Sequence, residues 1–234
     1  MKTYRFFTAI LMVALSFNFV SCGDDDDNGG ETGKSTKRLT KIVTTSGNEE
    51  YATIQFTYSG DKVSSIKIKA DSDDELIVSE KEITSTSTNS TYKLGSNGYI
   101  ADDGSDEYTY YSEGYLKSIG SDKFIYDANW NLITTDWADH ISYTEIPNKD
   151  NLFLVLDDDP VGNDRYVILA QAGFVGKASP FLPQTVTWDG DNETYTFKYE
   201  IDNDGHINKV TVVYTYENGD TDSWTQVYTY EEVK

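Results

Sequence analysis

The stretch that decides the fold is Lys209–Tyr230, KVTVVYTYENGDTDSWTQVYTY. Its first half alternates, with Val210, Val212, Tyr214 and Tyr216 on even positions and Thr211, Val213 and Thr215 between them. Side chains of a strand point to opposite faces in turn, so the even set shares one face. Glu217-Asn218-Gly219 fits a three-residue hairpin loop, a type I turn in which Gly219 takes the left-handed position of the bulge. Tyr216 then pairs with Asp220, which sets Val212 opposite Trp224 and Val210 opposite Gln226. A two-residue Asn218-Gly219 turn would pair Trp224 with Val213 and invert the strand. The bulged register is preferred because it joins Trp224 to the larger apolar face. Trp224 is thereby expected in the core and is set aside as a ligand platform.

Working outward, the same pattern recurs. Thr53–Tyr58, Val63–Lys69 and Ser223–Tyr230 alternate and are rich in β-branched and aromatic residues. Turn formers separate them: Ser59-Gly60-Asp61, Glu113-Gly114, Ala128-Asn129 and Asp202-Asn203-Asp204-Gly205. The 18 tyrosines and 10 phenylalanines suit such strands. The expected fold is all-β, an antiparallel meander of long hairpins with the option of curling into a partly closed barrel. One stretch, Arg165–Ala172, has no turn signal and predicts a short helix near 165–172. Residues 35–234 are enough for one well-buried domain.

The beginning of the chain reads differently. Lys2 and Arg5 precede an apolar run, Phe6–Val20, and Ser21 is a small residue before Cys22. These are the parts of a secretory signal over residues 1–21. The run is shorter than the roughly 20 residues that span a bilayer. Cys22 is the single cysteine, so an intrachain disulfide is impossible. Phe19-Val20-Ser21-Cys22 resembles a bacterial lipobox, with Phe in place of the usual Leu. The resemblance implies a lipid on Cys22, and two or more acyl chains anchor stably. Asp24, Asp25, Asp26 and Asp27, followed by Asn28-Gly29-Gly30, read as a solvated tether over 22–34. This run is similar to the acidic export tag of Bacteroidota surface lipoproteins. The expected place is the outer membrane, lipid-anchored and at the cell surface.

A hairpin motif repeats weakly at Tyr58–Ile66, Tyr111–Ile119, Tyr126–Ile133 and Tyr199–Val210, similar to tyrosine–aspartate repeats of bacterial surface proteins. Together with Arg38–Ile42 and the block Gly173…Gly176-Lys177…Ser179…Leu182-Pro183, it resembles a Bacteroidota lipoprotein family of unknown function. That resemblance implies a porin-like all-β fold and brings no activity or catalytic residue. A membrane-embedded barrel would need a continuous apolar outer band. Tyrosine–threonine strands on a chain of formal charge −21 do not supply one.

The charge excludes nucleic acid as a partner, because acidic surfaces repel phosphate backbones. Loss of residues 1–21 removes two cations and no acid. Asp202-Asn203-Asp204-Gly205 imitates the start of a calcium loop, but the closing acid position holds Thr211. An Asp-Gly hairpin turn is the simpler reading of Asp202 and Asp204. Asp157-Asp158-Asp159 with Asp164, and Asp71 with Asp73-Asp74-Glu75, are further acid clusters that read as solvated loops. His140 and His206 lack neighbouring His or Cys, so no zinc set forms. There is no Gly-x-Ser-x-Gly elbow, and with forty acids a chance carboxylate pair means nothing. No cofactor and no catalytic residue are expected. Trp130, Trp137 and Trp188 remain as candidate stacking platforms, since flat aromatic faces bind with little entropy loss. Trp130, between Asn129 and Asn131, is the best placed. The expectation is a non-catalytic surface lipoprotein that binds a glycan or a protein. The alternative is an interaction lipoprotein of the outer membrane, with a glycan-processing enzyme ranked last.

Overall fold

The structure, a computed structural model, describes residues 36–70, 72–136, 138, 140–154, 165–187 and 193–233. Among these residues seventeen strands and one helix follow in chain order. Five open the domain: β1 (Thr36–Ser46), β2 (Glu49–Ser59), β3 (Lys62–Lys69), β4 (Asp74–Val78) and β5 (Glu82–Ser85). Short strands come next: β6 (Thr91–Leu94), β7 (Ile100–Asp102), β8 (Tyr108–Tyr110), β9 (Leu116–Ile119), β10 (Asp122–Lys123), β11 (Ile125–Tyr126) and β12 (Leu132–Thr134). Then β13 (His140–Pro147), α1 (Arg165–Gln171), β14 (Phe181–Thr187), β15 (Thr194–Ile201), β16 (Ile207–Thr215) and β17 (Thr221–Val233) complete it.

Twelve strands form one sheet in the order β13-β14-β15-β16-β17-β1-β2-β3-β4-β5-β6-β7. Every named pairing is antiparallel, and the first and last strands, β1 and β17, lie side by side. A three-stranded sheet β10-β9-β8 and the pair β11-β12 carry the chain from one end of the large sheet to the other. Among the described residues the ladder does not close into a barrel. This is the expected all-β meander.

The strands share one core among the described residues. Ile54 and Phe56 of β2, Ile66 and Ile68 of β3, and Val210 and Val212 of β16 all belong to it. Between them on β2 and β3, Gln55, Thr57, Lys67 and Lys69 point outward and are exposed. The outward face of these strands is therefore polar, the reverse of a lipid-facing band.

The last hairpin has the expected register. Val212 pairs with Trp224 and Val210 with Gln226. The Tyr216 N–H donates to Asp220 O at 2.9 Å, and Gly219 has φ +86°. Trp224 is half-buried against the core.

Helix α1 runs Arg165–Gln171, as its sequence predicts, and packs inside. Val167, Ile168, Leu169 and Ala170 are all buried, which explains why its sequence is apolar nearly all round. A Schellman cap ends it: the Phe174 N–H reaches Leu169 O, the Gly173 N–H reaches Ala170 O, and Gly173 has φ +85°. At its start, Arg165 Nε lies 2.8 Å from Asp74 Oδ2 on β4. Asp74 also accepts from Ser85 Oγ and from the Ser87 N–H. Burial pushes its carboxyl up, but these donors and Arg165 outweigh it and hold it at about 2.

Candidate functional site

Five hairpins share one turn. In each, residue i donates its N–H to the carbonyl of i+4, and residue i+3 donates back to the carbonyl of i. The turns start at Gly95, Tyr111, Asp127, Asp202 and Tyr216. Residue i+3 sits at positive φ, and it is Gly98, Gly114, Gly205 and Gly219 in four of them, with φ between 79° and 91°. Glycine is the default there because a Cβ crowds the backbone in the left-handed region. In the fifth turn the residue is Trp130, at φ 64°. A bulky side chain in that conformation costs about 1–2 kcal/mol. It persists because neighbouring contacts hold it.

Those contacts form an aromatic cluster. The Trp130 ring lies parallel to Tyr115, with an interplanar angle of 4° and centroids 4.7 Å apart. Tyr111 meets it edge-on at 5.5 Å, and Tyr126 lies at 6.0 Å. Tyr115 is buried, whereas Trp130, Tyr111 and Tyr126 are half-buried and keep exposed area. Burial pushes the Tyr115 phenol up. Lys177 Nζ stands 5.9 Å from the Tyr115 ring and Lys117 Nζ 5.9 Å from the Tyr111 ring. Asp127 shapes the turn: its Oδ1 accepts the Asn129 and Asn131 N–H groups at 2.8 Å each. Tyr126 and Lys177 also line a cavity of about 20 Å³, room for one water. The site is thus a surface platform and not a deep pocket.

The Gly176-Lys177 block builds one side of this platform. The Lys177 N–H donates to Gly114 O at 3.0 Å. A Cβ on Gly176 would stand 2.4 Å from Gly114 O and 3.2 Å from the Tyr110 ring, so only glycine allows this approach. Ser179 Oγ accepts the Leu132 N–H and meets the Tyr143 hydroxyl, tying β12 to β13.

The other sequence candidates separate. Trp137, Trp188, Cys22, Asp24–Asp27, Asp71, Asp157–Asp159 and Asp164 lie outside the described residues. Asp202 and Asp204 stand in a hairpin turn and meet a lysine. Asp202 Oδ1 accepts the Asp204 and His206 N–H groups, as Asp127 does in its own turn. Asp202 Oδ2 and Asp204 Oδ2 take the Lys37 ammonium at 2.9 and 2.7 Å. Lys37 first, then the His206 N–H, hold the Asp202 carboxyl at about 2. The simple turn reading therefore describes this segment.

Sequence reasoning missed two features. His206 is buried, with Nδ1 2.5 Å from Asp150 Oδ1, while Asp150 Oδ2 accepts the Ile207 N–H. This pair clamps the loop after β13 to the turn between β15 and β16. A groove of about 720 Å³ lies where the β2–β3 and β4–β5 hairpin tips meet the end of α1, with Tyr58, Val63, Val78, Leu94 and Phe174 on its walls.

No family model matches the chain, and no curated protein matches it. Among solved structures the fold is similar to a porin-like protein from Bacteroides uniformis. The TM-score is 0.54 at 16% identity, over 82% of this chain and 96% of that one. The similarity shows a porin-like all-β fold, as the sequence led one to expect.

Proposed function

We propose that the chain is an exported lipoprotein, anchored through Cys22 in the outer membrane and displayed at the cell surface, that binds glycan without catalysis. The observation that carries glycan binding is Trp130 standing where the four sister turns hold glycine. The backbone keeps an unfavourable conformation, and what it gains is an indole presented at the tip of a hairpin. Parallel stacking on Tyr115 fixes that ring, so little rotational freedom is lost when a sugar face packs on it. Both tasks of Asp127, turn formation and the bond to Asn131, occupy its oxygens, which leaves stacking and cationic groups to meet a ligand.

Envelope location is supported by the signal-like residues 1–21, the lipobox-like Phe19–Cys22 and Asp24–Asp27. The likeness to a porin-like protein from Bacteroides uniformis agrees with it. A polar outward face fits a domain held beside the membrane by lipid. A glycan array with residues 35–234 tests the binding: the expected result is glycan signals that disappear in Trp130→Gly. An array with no signal, or signals unchanged in that variant, would reject it. For anchoring, Cys22→Ala should abolish labelling by palmitate, and continued labelling would remove the anchor. Replacing Asp24–Asp27 with Ala should reduce protease accessibility on intact cells.

A further inference from the structure

The two lysines beside the platform extend this reading. They arrive from different elements: Lys117 from β9, and Lys177 from the segment after α1 that Gly176 allows to dock on the Tyr111–Tyr115 turn. Both are exposed, and among the described residues neither forms an ion pair. Each ammonium stands over a ring that touches Trp130. Two unneutralised cations at one aromatic site are notable on a chain with 40 acids and 19 bases.

We propose that the site takes acidic saccharides, with Lys117 and Lys177 holding a carboxylate or sulfate while the sugar face packs on Trp130. The inference rests on the glycan reading above. The net charge does not oppose it at working salt, because charges beyond about 10 Å are largely screened at 0.1 M. Nearby acids decide instead. Asp127 is committed to its turn. Glu113, on the Tyr111–Tyr115 turn, accepts the Ser112 hydroxyl and remains exposed. Glu113 and Asp127, one on each turn of the platform, are carboxylates that oppose an anion, and they temper the affinity.

The test is calorimetric titration of residues 35–234 with three hexasaccharides: an oligogalacturonate, a chondroitin sulfate and a neutral galactan. This part of the chain contains every described core residue. At 0.1 M salt one or both acidic sugars should bind roughly fivefold more tightly than the neutral one, as two exposed charge contacts allow. The preference should shrink at 0.2 M salt and fall to about one in Lys117→Ala/Lys177→Ala. Glu113→Gln should enlarge it. Equal affinity for acidic and neutral sugars, or a preference that survives the double lysine variant, overturns the proposal. Equal binding of all three that vanishes in Trp130→Gly would leave the platform standing and remove only the acidic selectivity. No binding to any sugar removes the platform, and the selectivity with it.

Discussion

Replacing Trp130 with glycine and, separately, with alanine isolates the backbone from the side chain. A large aromatic ring buries up to 200–250 Å², and Trp130 is half-buried. Removing it thus forfeits roughly 2.5 kcal/mol of apolar burial, and the stack on Tyr115 adds about 1 kcal/mol. Both variants lose these terms. Alanine retains the left-handed strain of about 1–2 kcal/mol, whereas glycine releases it. Glycine gives back about 0.5–1 kcal/mol in unfolded-chain entropy. The glycine variant should therefore be the more stable of the two, by roughly 0.5–1 kcal/mol, with both a few kcal/mol below the parent. At an ordinary φ the order is the reverse, because alanine then wins. Urea unfolding of residues 35–234, followed by far-ultraviolet circular dichroism, reads the order directly. An alanine variant equal to or above the glycine variant would refute the strained turn. Two variants indistinguishable from the parent would refute the stack.

Gly219→Ala and Gly176→Ala contrast strain with collision. Nothing lies within 4 Å of a Cβ on Gly219, so its variant should lose only about 1 kcal/mol, whereas Gly176→Ala meets Gly114 O at 2.4 Å and should lose about 3 kcal/mol or more by urea midpoint. The Asp74 carboxyl is held below its ordinary value, so its stabilisation is complete above about pH 4 and is lost as pH falls toward 2. The gap in unfolding midpoint between the parent and Asp74→Asn should accordingly be widest at pH 5 and close by pH 2; a constant gap would contradict the charged contact with Arg165. Millimolar calcium should leave the melting temperature unchanged, since Lys37 already occupies Asp202 and Asp204, and a clear upward shift would restore the cage.

What the sequence revealed and what it concealed follow from the range of the interactions. The β16–β17 register was legible because a three-residue turn and a period of two fix it locally. Helix α1 was legible because Arg165–Ala172 lacks turn residues. The pairing of β1 with β17 joins the two ends of the domain, and no local pattern announces it. Trp130 was readable as a turn residue between two asparagines, but its strain became visible only beside Gly98, Gly114, Gly205 and Gly219 in the same turn. Its partner Lys177 comes from a distant segment, through a glycine whose purpose is close approach. His206 appeared partnerless because Asp150 lies 56 positions away. Asp202 and Asp204 looked like ligands because an Asp-x-Asp-Gly turn and the start of a calcium loop share residues. Lys37, at the other end of the domain, distinguishes the two.

In the proposed function a sugar packs on Trp130. The chain has four tryptophans, so a ¹⁵N-labelled sample shows four indole N–H signals, and the one missing in Trp130→Gly assigns that residue. Titrating the parent domain with the hexasaccharide it binds best should shift the Trp130 indole signal first and furthest. Backbone signals of Tyr111, Tyr115 and Lys177 should move with it. A Trp130 signal that stays in place, while residues of the groove such as Val78 and Phe174 shift, would contradict stacking on Trp130.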